Sequence, residues 1–229
     1  MKNVFLVSST IETTHGVFSQ DQRLNQTFDT VFSIRKNVPD SYIILYDTSV
    51  TFSEKTTNSL SSMIDELVLL QNNKMMMELS GRHLKSSGEC FATFLVLSYL
   101  KERQQEFLND TNRIFKISGR YQVQDSFNID EYQNTKGKYV FRKRIKSWLN
   151  EEMQKSRQVD HLFVTRFYSF CSTLVDDYLS ILPRILDDTF TGLDLEHCTY
   201  KNINKDLVIE FDKVHCTGQV AFNGTVETD

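Results

Sequence analysis

Val4-Phe5-Leu6-Val7-Ser8-Ser9-Thr10 opens the chain with four consecutive apolar residues that run into three hydroxyls. An apolar run this short, bounded by polar residues, fits a buried strand. It is too brief for the apolar core of a signal peptide, and no small-residue cleavage site follows it. After a polar loop, Leu24, Phe28, Val31, Ile34 and Val38 recur at the spacing of an amphipathic helix. Asp21 is the expected cap of that helix and Pro39 its stop. Tyr42 to Tyr46 is a second buried strand, ending at Asp47. Ser53 caps a short helix to about Met63, and Glu66 to Leu70 forms a third strand. A polar loop over Ser80–Ser87 leads to the longest helix, from Glu89 to Leu108. Arg113 to Ser118 is the fourth strand, cut off at Gly119. A β-α-β-α order with continuous apolar strands predicts an α/β fold with a mostly parallel sheet between helices.

The second half reads differently. The stretch Asp125–Gln158 is polar and charged and is expected at the surface. His161 to Phe170 reads as a strand, Ser172 to about Ile185 as a helix, and Leu193 to Asn204 as a helix capped by Asp194. Leu207 to Phe211 and Val214 to Phe222 read as closing strands, with Asn223-Gly224 as a hairpin turn.

The chain has 229 residues, 40% hydrophobic and 24% charged, which suits one globular domain. Two prolines and eight glycines exclude collagen-like and low-complexity classes. A net charge of −4 argues against a protein that coats nucleic acid. No apolar run approaches the roughly 18 residues of a membrane span. Cys90, Cys171, Cys198 and Cys216 form no CxxC pair and read as reduced, buried thiols, so the cytoplasm is the expected location. His197-Cys198 and His215-Cys216 are adjacent pairs, a poor spacing for zinc. Asn25, Asn109 and Asn223 stand in Asn-x-Thr sequons, which matter only on secretion.

In open α/β sheets, ligands bind beyond the carboxyl ends of the strands, where strand order switches. That rule selects Ser8, Ser9 and Thr10 after the first strand, Arg23 in the first helix and Asp47 after the second strand. It also selects Ser118, Gly119, Arg120 and Tyr121 after the fourth. Lys85-Ser86-Ser87-Gly88-Glu89 precedes the longest helix, and free amides at a helix start suit phosphate; the other reading is a Ser-rich cap that needs no ligand. In Phe115-Lys116-Ile117-Ser118-Gly119-Arg120-Tyr121 a strand runs into glycine, where backbone approaches a ligand. Arginine then offers a fork to phosphate oxygens, and tyrosine a face to a base or sugar. The plainer reading is a strand end with a surface arginine and a core tyrosine. Glu196 near a helix start suits a general base, or is a helix-favouring residue beside a packed His197. Asp176-Asp177 and Asp187-Asp188 read as a solvated helix face. His15 is either a lid residue or simply exposed. Neither GxxxxGK[ST] nor GxGxxG is present.

These residues, in order, resemble a family. Val4 to Ser9, Arg23-Leu24-Asn25-Gln26-Thr27, Ser33-Ile34-Arg35, Pro39-Asp40, the strand Tyr42 to Leu45, Lys85 to Glu89, Phe115 to Tyr121 and Leu195-Glu196-His197 are similar to predicted glycosyltransferases of large viruses and phages. The resemblance implies a single GT-A-like (Rossmann-like) domain over 1–229, with a mixed, mostly parallel sheet flanked by helices. The nucleotide-binding half would be about 1–122 and the acceptor half about 123–229. It implies a nucleotide-sugar donor and a glycan or other hydroxyl acceptor. In that fold the fourth strand usually ends in Asp-x-Asp, which holds a divalent metal on the diphosphate; here it ends in Ser118-Gly119-Arg120.

A leaving diphosphate gathers negative charge, and something cationic must stabilise it. Arg120 ranks first for that task and Lys85 second. Lys116 ranks behind them because it alternates away from Ile117 on its strand. The expectation is transfer with no required cofactor, manganese or magnesium being optional. In this scheme Ser8, Ser9 and Thr10 contact the nucleotide, together with Gly88, Ser118, Gly119 and Tyr121. Asp47 reads a ribose or base edge, and Arg23 pairs with phosphate or braces Asp47. Glu196 deprotonates the acceptor with His197 beside it. Two alternatives stay open: an inactive sugar- or protein-binding module on the same fold, and another nucleotide-dependent transferase.

Overall fold

The computed structural model describes residues 2–13, 16–103, 105–220 and 224–228. In the first half, strands β1 (Lys2–Ser9), β2 (Tyr42–Asp47) and β3 (Glu66–Leu69) alternate with helices α1 (Gln20–Asn37) and α2 (Glu54–Ser61). Helices α3 (Lys74–Gly81), α4 (Lys85–Arg103) and α5 (Gln105–Asn109) then lead to β4 (Thr111–Ser118). The short strand β5 (Tyr121–Val123) follows at once. The second half contains β6 (Tyr139–Arg142), β7 (Ile145–Lys146), α6 (Glu151–Arg157), β8 (His161–Leu162) and β9 (Phe167–Cys171). It ends with α7 (Val175–Phe190), α8 (Leu195–Asn202), β10 (Val208–Phe211), β11 (Cys216–Gln219) and β12 (Val226–Thr228).

Seven strands form the main sheet in the order β10-β6-β9-β4-β1-β2-β3. All neighbours are parallel except β9, which runs antiparallel to both β4 and β6. The architecture is thus a mixed, mostly parallel sheet flanked by helices, as the strand order of the first half predicts. The chain winds outward from β1 to β3, then returns through α3 to α5 and inserts β4 on the other side of β1. The switch in strand order therefore lies between β1 and β4. No described helix is long and apolar enough to cross a membrane.

Alternation along the strands builds two apolar layers. Val4, Leu6, Ile44, Tyr46 and Ile114 face α4 and α7. Phe5, Val7, Ile43, Leu45, Phe115 and Ile117 face α1 and α2, with Phe5 and Phe115 stacked at 4.7 Å. Lys116 shares the parity of Ile114, so its side chain is committed to the α4 side.

Several boundaries differ from the sequence expectation. Ser19, rather than Asp21, caps α1 through a reciprocal capping box: its hydroxyl accepts from the Gln22 amide at 3.2 Å, and the Gln22 side chain accepts from the Ser19 amide at 2.8 Å. Residues 80–87 are not one polar loop, since α3 runs to Gly81 and α4 already starts at Lys85. The expected surface segment 125–158 contributes β6, whose Tyr139, Val140 and Phe141 are fully buried inside the sheet between β9 and β10. The hairpin is present as the antiparallel pair β11–β12, although Asn223 itself, like His15, lies outside the described residues.

A second, three-stranded sheet has the order β12-β11-β5. Gly218 is its tightest point. A Cβ there would fall 2.6 Å from Tyr121 Cγ and would overlap the Arg120 carbonyl oxygen. Because the obstruction is partly backbone, Gly218→Ala should destabilise the fold by about 2 kcal/mol. Gly81→Ala meets open space in a helix and should stabilise by about 0.5 kcal/mol. Urea melts of the two variants check both signs.

Candidate functional site

The ends of β1 and β4 open into a crevice of about 320 Å³. Ser8, Ser9 and Thr10 line it from β1, Ser118 and Arg120 from β4, and Arg23 from α1. Lys85, Gly88 and Glu89 line it from the start of α4. Tyr46, Met76, Leu79, Leu84 and Ala92 form its apolar wall. Gly119 does not line the crevice but sits between two residues that do: its amide donates to the Ser8 carbonyl at 2.7 Å, and a Cβ would lie 3.1 Å from that oxygen and 3.2 Å from Thr27 Oγ1. Glycine at 119 lets the chain leave β4 tight against β1 and α1, which carries Arg120 over the crevice.

The electrostatics are dominated by cations held close together. Burial pushes the proton affinity of Arg120 down, Glu89 offsets part of this, and Arg166 opposes it again. Arg23 is lowered by burial and by Arg120, with Asp47 compensating in part. Arg23 also braces the first loop, donating from Nη1 to the Thr10 carbonyl at 3.1 Å and from Nε to the Phe18 carbonyl at 3.4 Å. Arg120 Nε is buried without a hydrogen-bond partner among the described residues. A buried, unpartnered N–H on a cation is costly, and an anion in the crevice is the group that would relieve it.

Lys116 does not line the crevice. It is 1% exposed, is ion-paired with Glu89, and donates to the Thr165 carbonyl at 3.2 Å. Burial alone would raise Glu89, but the charge and hydrogen bond of Lys116, aided by Lys85 and Arg120, hold it below the usual carboxylate range. Burial would lower Lys116, and Glu89 instead raises it.

Asp47, expected at a ribose or base edge, is turned inward. It is 1% exposed and accepts from Ser9 Oγ at 2.6 Å, the Ile11 amide at 3.0 Å and the Ser49 amide at 2.7 Å. Its work is to fasten the end of β1 to the end of β2. Tyr121 also lies outside the crevice lining: its ring is buried beneath the Arg166 guanidinium, 5.6 Å from the ring centroid.

Glu196 and His197 separate. Glu196 is half-buried and accepts from Thr165 Oγ1 at 3.1 Å. Burial raises its proton affinity, and the charges of Glu89 and Asp194 add to the effect. It does not line the crevice. His197 is fully buried, with Nδ1 2.7 Å from Asp194 Oδ1, Nε2 2.8 Å from Ser147 Oγ and its ring against Trp148. With both ring nitrogens engaged and no path to the crevice, it is a core histidine.

Sequence reading missed Arg166 and the carboxylate of Glu89 as parts of this region. Arg166 enters the β4 end because β9 pairs with β4; the Ser118 amide donates to the Arg166 carbonyl at 2.9 Å. That pairing joins residues far apart in the chain, and no local pattern announces it.

Divalent ions take oxygen donors, chiefly carboxylates. Among the described residues Glu89 is the one carboxylate lining the crevice, already claimed by Lys116, and no group of three or more His, Cys, Asp or Glu able to hold a metal occurs. The residues at the end of β4 therefore do not fit a divalent metal.

Removing Lys116 leaves Glu89 unpaired against a desolvated wall. Lys116→Met should cost about 3 kcal/mol, and a second change, Glu89→Leu, should restore most of it. Glu89 is depressed, so its contribution holds above 4.5 and fades as pH falls through its lower folded value. Lys116 is raised, so its contribution holds below 10.5 and fades as pH rises beyond. Urea melts across pH should show a wild-type advantage that is flat between those limits and shrinks at both ends.

Neither a protein-family model nor a curated protein matches this sequence. Among solved structures the chain is similar to the WbbM bifunctional glycosyltransferase in its apo form. The TM-score is 0.52 at 9% identity, over 92% of this chain and 38% of that one. The chain thus spans little more than a third of that protein. A looser superposition, TM-score 0.45 at 13% identity, covers 93% of this chain and 91% of 4-diphosphocytidyl-2C-methyl-D-erythritol synthase from Anaerococcus prevotii DSM 20548. At such identities the likeness concerns the fold, which is GT-A-like.

Proposed function

We propose that this chain is a glycosyltransferase that moves a sugar from a nucleotide-sugar donor to a hydroxyl acceptor. The observation that carries the reading is the Arg120 guanidinium at the switch point of a GT-A-like sheet, with a buried Nε that has no hydrogen-bond partner among the described residues. Arg120 and Lys85 hold the diphosphate, and Arg23 adds charge from the α1 side. The hydroxyls of Ser8, Ser9, Thr10 and Ser118 supply further hydrogen bonds, whereas the Gly88 amide is already donated to the Leu84 carbonyl. The apolar wall of Tyr46, Met76, Leu79 and Leu84 takes the base, a task that Asp47 and Tyr121 are not placed to perform.

In the reaction the acceptor oxygen forms a bond to the anomeric carbon while the bond to the diphosphate breaks. The acceptor proton is released to water, because neither Glu196 nor His197 lines the crevice and Glu89 is paired with Lys116, and the nucleoside diphosphate leaves with its charge stabilised by fixed cations. A single displacement of this kind inverts the anomeric centre. Manganese or magnesium has no assigned role.

The lack of an acidic motif at the β4 end favours a second reading on the same fold, a sugar- or protein-binding module. Slow donor hydrolysis separates the two, since a transferase hydrolyses its own donor and a module leaves it intact.

A thermal-shift panel of nucleotide sugars, with and without a chelator, tests the donor site. Binding should raise the melting temperature, the rise should survive chelation, and Arg120→Ala should abolish it. An unchanged shift in Arg120→Ala would remove the leaving-group role. Glu196→Gln should keep both the shift and the turnover, because Glu196 does not line the crevice.

A further inference from the structure

Tyr121, Gly218 and Glu227 stand in one row across β5, β11 and β12: Gly218 pairs with Tyr121 on one side and with Glu227 on the other. Directly paired residues of antiparallel strands share a face. Gly218 has no side chain, and the Tyr121 ring crowds its α-carbon, so no side chain of the row stands between that ring and the Glu227 carboxylate. Arg166 bridges the two. Its guanidinium lies over the Tyr121 ring, and its Nη1 is ion-paired with Glu227. The Arg166 backbone is fixed next to crevice-lining Ser118, and its charge is felt by both Arg120 and Tyr121.

Arg166 is thus a further guanidinium near Arg120, just before the strand that adjoins β4, and it is ion-paired with the Glu227 carboxylate. The pair is only partly sheltered, with side-chain exposures of 30% and 44%. Pairs this open are worth little, so an incoming phosphate, carrying more charge than a carboxylate, competes with Glu227 on favourable terms. The contact also ties the C-terminal strand to the end of β4.

We propose that Arg166 is an additional phosphate-binding residue of the crevice and that Glu227, from the C-terminal strand, is its built-in competitor. Anion binding turns the Arg166 guanidinium from Glu227 toward the crevice and frees the β12 end of the small sheet. The ligand class is a diphosphate, as a nucleoside diphosphate or a nucleotide sugar. The inference rests on the crevice being a phosphate site, as in the proposed function.

The test is calorimetric titration of the full chain with inorganic pyrophosphate, at fixed ionic strength with chelator present. Glu227→Gln should bind about two- to fivefold more tightly, the scale of an exposed ion pair released. Arg166→Met should bind about tenfold more weakly, the scale of a lost charged hydrogen bond. In the double variant the gain from Glu227→Gln should vanish. If that gain persists without Arg166, Glu227 acts only as a nearby negative charge and the proposal is overturned. It is equally overturned if either single variant matches wild type. If Arg166→Met fails to fold, Arg166→Lys takes its place, with weaker binding expected and a smaller gain from Glu227→Gln. Wild-type protein that binds no pyrophosphate would refute the phosphate site itself, whereas wild-type binding with unresponsive variants would refute only the role of Arg166 and Glu227.

Discussion

Arginines that sit together in a desolvated crevice repel one another, and that repulsion is the constraint on which the rest of the site depends. Burial lowers the proton affinity of both Arg23 and Arg120, Arg120 lowers that of Arg23 further, and Arg166 lowers that of Arg120. The protein supplies partial compensation: Glu89 toward Arg120, carbonyls of the first loop toward Arg23, and Glu227 toward Arg166. Compensation stops short at Arg120 Nε. A fold that holds like charges together with one donor unsatisfied is arranged for an anion that brings its own negative charge, and a diphosphate meets that requirement.

The scaffold that enforces this closeness is local and simple. Gly119 lets the chain turn off β4 hard against Ser8 and Thr27. Asp47 binds the ends of β1 and β2 so that the first loop cannot splay. Lys116 and Glu89 lock β4 to α4, so that the two walls bearing Arg120 and Lys85 stay at fixed separation. Two residues expected to touch a ligand, Asp47 and Lys116, thus act one layer beneath it. Both are charged groups on strands, Asp47 at the end of β2 and Lys116 within β4, and the sequence marks such groups without saying whether they face out or in.

The first half of the fold was legible because its strands are parallel and covered on both faces, so each is a continuous apolar run. β6 was not. Tyr139-Val140-Phe141-Arg142 is short and embedded among lysines and arginines, and it is buried only because β9 and β10, contributed from later in the chain, close over it. Glu196 and His197 were read as partners because they are adjacent, yet neighbours on a helix diverge by about 100°. One side chain therefore reached Thr165 while the other entered the core against Ser147 and Trp148. Arg120 was legible for the opposite reason: strand, glycine and arginine are consecutive, and local geometry alone carries the side chain to the crest.

The most direct measurement is the Arg120 Nε–H resonance in a proton–nitrogen correlation spectrum, followed during titration with pyrophosphate in the presence of chelator. Arg120→Lys identifies the signal. The expected result is a saturable shift of that resonance and slower exchange of its proton with water, as the unsatisfied donor gains a phosphate oxygen. A resonance that stays in place while calorimetry reports pyrophosphate binding would mean that the anion sits elsewhere, and would contradict the account.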